Sequence, residues 1–212
     1  MPKLEAYRLA EVDAHFNHLQ SEKLLPGGEG VSSLRRDALA RFKALGIPTT
    51  KQEEWRFTNV SAIGNHQFSV ATPADGDAAD VMQQAEAEGL LKFTESLIVV
   101  VNGFYRPELS RLNGIPGGVI IQSFGEGGLD HPAAQKCLGK VAVDETHPFV
   151  ALNTALFSDG LFIHVPENTV VTEAVHILFL ATESATPLVS NPRLLVVCEK
   201  SSQLTLLETY FR

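Results

Sequence analysis

The spacing of apolar and polar positions divides the chain into a first part with helical period and a second part made of short apolar runs. Between residues 3 and 20, Leu4, Tyr7, Leu9, Val12, Phe16 and Leu19 recur at roughly helical intervals with charges between them, which predicts an amphipathic helix. LPGGEG at 25–30 breaks it. Ser32 or Ser33 then stands where it can cap a second helix with the stripe Leu34, Ala38, Leu39 and Phe42, ended by Gly46 and Pro48. Thr50 and Glu53 have the spacing of a capping box, so a short helical turn is expected there. Trp55, Phe57 and Val60 alternate with Arg56 and Thr58, a pattern of half-buried extended chain. The polar stretch from Gly64 to Asp80 reads as an exposed linker, and a helix from Ala79 to Glu88 closed by Gly89 follows.

From residue 97 the period changes. LIVVV at 97–101 has the composition of a strand buried on both faces, and Asn102-Gly103 after it is a strong turn signal. Gly118 to Phe124 predicts another strand, followed by a GEGG loop, and residues 132–138 a short helix containing Cys137. A helix from Pro148 to Phe157 turns at Asp159-Gly160 into four apolar runs, LFIHV, VHILFL, RLLVV and LTLLE, punctuated by ENT, ESATP and KSSQ. The runs recur irregularly, without a hexapeptide period. An irregular parallel β-helix and a jelly-roll-like stack both fit, and the lack of Asn-Gly or Asp-Gly hairpin turns between the runs favours the first. The expected fold is mainly β with α, a helical region over residues 1–90 leading into a strand core over 91–212. No Gly, Pro or charge cluster closes the last run before Arg212. Its edge is expected to be open, so that the chain alone self-associates through it or leaves that end disordered.

Charge narrows the function classes. A net charge of −8, with Arg35-Arg36 the only adjacent basic pair, argues against a nucleic-acid or anionic-membrane surface. The first twenty residues mix charges with single apolar residues and contain no signal-peptide core, and the apolar runs are too short to span a bilayer. A cytoplasmic chain is expected. The two cysteines, Cys137 and Cys198, form neither a disulfide framework nor a metal knuckle.

The candidate chemistry is sparse. Strand alternation puts His164 on the face of Phe162 and His176 on the face of Leu178. Two strand histidines can bind a metal as in cupin-like sites. No Glu or third His falls at ligand spacing, so each reads as a half-buried side chain with one hydrogen bond. His15 and His18, three apart, lack a partnering HExxH and read as a solvated helix face. Cys198 lies among apolar residues as a buried, inert thiol, and Cys137 beside Lys136 is only modestly better as a thiolate. Iron–sulfur clusters want four thiolates or a mixture with His, so neither cysteine is expected to ligate one. The glycine runs lack the Lys-Ser/Thr of a phosphate loop, and there is no GxSxG. No catalytic residue and no metal ligand is assigned, and cofactor-binding residues are left open.

Three stretches together carry a resemblance: GIPTTKQEEWRFTNV at 46–60, FVALNTALFSDGLFIHVPENTVVTEAVHILFL at 149–180 and NPRLLVVCEKSSQLTLLETY at 191–210. The first is similar to an amino-terminal signature of Pro followed by Lys, Glu and Trp-Arg/Lys-Phe/Tyr-Thr. The second is similar to LN-x-A, DG and VP elements at the entry to a β-helix. In this order and spacing they resemble the SufD branch of the SufB/SufD family of iron–sulfur cluster assembly factors.

The resemblance implies a helical amino-terminal region and then the first part of a right-handed parallel β-helix, truncated relative to the family. It implies a non-catalytic scaffold subunit that pairs with a SufB-like paralogue and a SufC-like ABC ATPase. The cluster is then assembled on the full complex and none is bound by this fragment. The family residues for cluster formation and SufC docking are expected beyond residue 212, and His164, His176, Cys137 and Cys198 match none of them. The alternatives are a small cupin-like or β-helix metal-dependent enzyme using His164 and His176, or a pure interaction module.

Overall fold

The computed structural model describes residues 2–75, 77–142 and 146–212, with the side chains of residues 2–10, Gly64 and Asn65 outside the description. In chain order the elements are α1 (Pro2–Ser21), α2 (Glu29–Leu45), β1 (Ser69–Val70), α3 (Ala79–Ala87), β2 (Ser96–Val101), β3 (Phe104–Tyr105), β4 (Arg111–Leu112) and β5 (Ile120–Ser123). They continue with α4 (Pro132–Cys137), α5 (Pro148–Leu156), β6 (Gly160–Val165), β7 (Val175–Leu180), β8 (Leu188–Val189), β9 (Arg193–Cys198) and β10 (Leu206–Phe211). The architecture is mixed α/β.

Two sheets face each other. In the first, β2, β7 and β10 run parallel, with Ser96 opposite Val175 and Val175 opposite Leu206. In the second, β6 and β9 run parallel from the pair Gly160 and Arg193. After β6, β7 and β8, the chain returns to lay β9 on β6 and β10 on β7, and Val170 bridges Gln203 in the same parallel sense. Short antiparallel strands cover the opposite edges: β3 and β4 on β2, and β5 on β6. Covered edges leave no free ladder on β2 or β6.

Period-two alternation explains the layers. Ile98, Val100, Leu161, Ile163, Val175 and Ile177 fill the space between the sheets. Leu97, Val99, Val101 and Leu178 point outward under α3, while Phe162 and Leu195 point outward under α4. Every residue of β2 and β6 is therefore buried, as LIVVV predicts. Asn102 and Gly103 turn β2 into β3 at φ +49 and +92, the left-handed geometry that this pair tolerates. Gly160 is required for another reason: a Cβ there would lie 1.9 Å from the Arg193 carbonyl oxygen, so only glycine lets β6 start against β9.

The helices α1, α2 and α5 share a further core of Leu19, Ala38, Ala155 and Leu156, to which Val70 belongs. Several local expectations are corrected here. α2 starts at Glu29 after Gly28 with no side-chain cap, and Ser32 lies inside the helix with its hydroxyl donating to the Gly28 carbonyl. Its end is as expected, with the Gly46 amide donating to the Phe42 carbonyl at φ +68. No Thr50–Glu53 capping box forms; Gln52 Oε1 accepts from the Thr49 amide instead, before a single 3-10 turn at Glu53–Trp55. No strand forms over residues 55–60: Trp55 ends the 3-10 turn, residues 56–57 are a turn and residues 58–60 are irregular. Trp55 rests edge-on against Phe149 at 5.4 Å, and Phe57 is 91% exposed. The stretch read as a linker contains β1, whose parallel pairing with β8 buries Val70 and Ala71, while Gly76 within it lies outside the described residues.

Candidate functional site

The two strand histidines lie on opposite outer faces of the paired sheets. His164 faces outward from β6, its ring stacked with Phe162 at 6.1 Å and tilted against His131 at 4.8 Å. Its Nε2 is 2.9 Å from Glu199 Oε1, and Nδ1 is buried with no partner among the described residues. His176 faces outward from β7, fully buried beside Phe93, with Nε2 2.9 Å from Thr209 Oγ1 and Nδ1 unpartnered. Burial, and then the charge of Arg111, holds the His176 imidazole below its ordinary pKa. Both sheets and the layer containing Ile163 and Ile177 separate the two rings. They cannot share one ion, which removes the geometry of a cupin-like centre. Among the described residues no group of three or more His, Cys, Asp or Glu is placed to hold a metal ion.

Each histidine makes one hydrogen bond, as expected, but both are buried rather than half-buried, because α4 and the Phe93 segment cover the outer faces. Glu199 and His131 around His164 carry no signal that sequence reading caught. Glu199 Oε2 accepts from the Glu167 amide at 3.2 Å, so one carboxylate ties the end of β9 to the turn after β6. The His164 bond, helped by the Glu167 amide, holds that carboxyl below the usual range. His131 Nδ1 accepts from the Ala133 amide at the start of α4, just before Pro132; His-Pro at a helix start is the available sequence cue.

Arg35 is the other residue that the sequence hid. It is 2% exposed on α2, with its guanidinium 3.5 Å over the Phe157 ring. It donates to the carbonyls of Phe157 (2.6 Å), Ala155 (3.4 Å) and Pro26 (3.0 Å), and no carboxylate pairs with it among the described residues. Burial, and then the nearby Arg193 charge, lowers its pKa to about 9. Arg193 is held by Asn153 Oδ1 and Thr154 Oγ1, and burial also lowers its pKa. These cations fasten α2 to α5 and α5 to β9. Asp159 does the same work among loops, accepting from the Tyr105 amide, the Ser123 hydroxyl and the Gly125 amide.

The remaining candidates do not converge. Cys198 is exposed, not buried, because it ends β9 past the cover of α4. Cys137 is half-buried on α4 and lines a cavity of about 550 Å³ with Arg193. His15 is not on a solvated face: its Nε2 lies 3.1 Å from the Phe68 carbonyl and ties α1 to the segment before β1, whereas His18 is exposed. The geometry supplies strand registers and buried tethers, with no nucleophile–base pair among the residues named from sequence.

A family profile described as the SufBD protein N-terminal region matches residues 27–177. The chain belongs to the SufB/SufD family. The match runs from the start of α2 through the middle of β7, so it takes in both Arg35 and Gly160. An iron–sulfur cluster assembly SufBD family protein of Synechocystis is 32% identical over 203 residues, covering 94% of this chain and 44% of that protein. The chloroplastic SufBD family protein ABCI8 of Arabidopsis thaliana is 34% identical over 92 residues, covering 43% of this chain and 16% of that protein. A ycf24 protein of Trieres chinensis is also 34% identical over 92 residues. This SufBD chain thus spans less than half the length of these relatives. No helix among its described residues is long and apolar enough to cross a membrane.

Proposed function

We propose that this SufBD chain is SufD-like and acts as a non-catalytic scaffold in iron–sulfur cluster assembly, paired with a SufB-like paralogue and a SufC-like ABC ATPase. The observation that carries the proposal is the family match over residues 27–177 together with 32% identity across 94% of the chain to a protein named for cluster assembly. The fold supports it. Strands β9 and β10 lie in parallel register on β6 and β7, the pattern of successive turns of a parallel β-helix, which we assign as right-handed. A solenoid of this kind contributes surface and register rather than a pocket of reacting groups. The cluster is cargo of the assembled complex, no cofactor is held by this chain, and the complex works in the cytoplasm.

The test is recovery of the protein from its source cells with an antibody to the chain, followed by intact masses of whatever co-purifies. A SufB-like protein and an ABC ATPase in stoichiometric amounts are the expected companions. Recovery of the polypeptide without either would overturn the scaffold reading.

A further inference from the structure

Helix α4 is a six-residue cover over the outer face of β6 and β9, where Ala134 packs with Phe162 and Leu195. A helix this short has little stability of its own and depends on its cap and its packing. The cap is His131, whose Nδ1 accepts from the Ala133 amide at 3.2 Å. Nδ1 can accept only while it carries no proton. The same ring lies against Phe162 at 4.9 Å and against His164 at 4.8 Å, and Phe162 and His164 are themselves stacked. His164 cannot take a proton in its place without loss. Its Nε2 is committed to Glu199, and a proton on Nδ1 would add a buried donor with no acceptor among the described residues. The seat of α4 is therefore built for a neutral pair of rings.

We propose that His131 is a proton-operated latch: its neutral ring seats α4 on β6 and β9, and a proton taken from solvent onto Nδ1 releases the helix and bares the apolar face beneath it. The proton removes the acceptor of the Ala133 amide and sets an imidazolium against His164 and Phe162. The charges around the ring do not offset this. A protonated His131 would attract the Glu199 carboxylate at the end of β9, but both oxygens of that group are already held, by His164 and by the Glu167 amide. Asp130, next in the chain, turns its carboxylate toward Gly127. Lys136 on α4 is exposed, and α2 brings only apolar Val31 to this cluster. A contact that needs neutral imidazole is present above the ordinary value of about 6.5 and is lost as pH falls below it. Acid thus uncovers Phe162 and Leu195 on the outside of the strand stack, a local charge change read out through one short helix. The latch is independent of the scaffold reading, since every group in it belongs to this chain.

The experiment is amide hydrogen exchange of the purified chain at pH 7.5 and 5.5, resolved by NMR and corrected for the intrinsic pH dependence of exchange. The reporters are the amides of Ala133, Gln135 and Leu138, which bond to His131 Nδ1 and to the His131 and Ala134 carbonyls. Their protection is expected to fall by about fivefold or more at pH 5.5, the effect of losing a side-chain cap, while amides of β2 and β7 keep theirs. Unchanged protection in α4 would overturn the proposal. So would an equal fall in β2 and β7, which reads as unfolding of the whole chain in acid. His131→Asn keeps a capping acceptor that does not titrate, and the fall in α4 should then be about twofold or less. A full fall in that variant would place the sensing group elsewhere and sink the latch. Circular dichroism checks that His131→Asn folds; if it does not, the unaltered chain decides. There the loss of α4 protection must track the titration of the His131 ring signal, and a separation of more than about one pH unit, a tenfold change in proton occupancy, would overturn the assignment. Partner recovery from cells reads the scaffold separately, so failure of one leaves the other standing.

Discussion

Strands β6 and β7 and the strands laid on them, β9 and β10, have the same length and matched register but very different burial. All of β6 is buried and nearly all of β7, whereas β9 is mostly half-buried and β10 alternates between half-buried and exposed. Apolar content does not account for it, since RLLVVC resembles GLFIHV in composition. What differs is the neighbours. Both strands pack toward α4 on one face and the opposite sheet on the other, but β6 has strands on both edges whereas β9 has a described strand on one edge only. Burial is thus a property of position in the stack, and the energetic weight of a residue should follow it.

The strongest way to break the pairing of the two circuits is Gly160→Ala. Its Cβ would sit 1.9 Å from the Arg193 carbonyl, against backbone that cannot rotate away. A loss of about 3 kcal/mol or more, at the upper end for overpacking, is expected in urea unfolding; wild-type stability would show that β6 and β9 do not meet there. Ile177→Ala, fully buried between the sheets, should cost about 3 kcal/mol through its cavity.

Arg35→Met tests the helical side. It keeps the packing over Phe157 but leaves the carbonyls of Phe157, Ala155 and Pro26 without this donor, and about 2 kcal/mol is expected from their desolvation. A neutral or stabilising result would mean that the buried charge costs more than its hydrogen bonds return.

His176 adds a pH dependence. Its folded pKa is lowered from 6.5, so the unfolded chain binds the proton more readily. Its contribution is present above the unfolded pKa and is lost as pH falls through and below it. Thermal melts from pH 7.5 to 5 should therefore fall less steeply for His176→Gln than for the unaltered chain; equal slopes would remove His176 from the account. The smallest effect belongs to Leu207→Ala. Leu207 is in β10 opposite His176 but 39% exposed, and a change within about 0.5 kcal/mol is expected. A loss matching that of Ile177→Ala would collapse the contrast between the circuits.

Much of the order of elements was written in the chain. LIVVV, the Asn-Gly turn, the Gly89 stop after α3, the Pro-led helices α4 and α5 and the first three late runs are local patterns that formed where they stood, while the strand of the fourth run, LTLLE, starts at Leu206 and continues to Phe211. The orientation of His164 with Phe162 followed from period two alone. β1 and β8 were not legible, because two residues carry no period and their pairing joins positions more than a hundred residues apart. The Thr50–Glu53 motif misled because a capping box is only a local option, and Gln52 took the amide of Thr49 first.

The candidate sites divide the same way. Residue types and alternation placed two histidines on strands, but which faces met was decided by the stacking of the sheets, and that set them on opposite outer surfaces. Arg35 reads as half of a surface basic pair until α2 docks on α5 and the carbonyls at the end of α5 become its partners. Cys198 reads as buried until the end of the cover over β9 is known. By itself the sequence determined the elements, the two-sided apolar strands and the family signature, because these depend on backbone preference and spacing along the chain. Only the tertiary structure decided which charges are buried, which histidines meet and where cavities open, because those depend on what lies across from each residue in space.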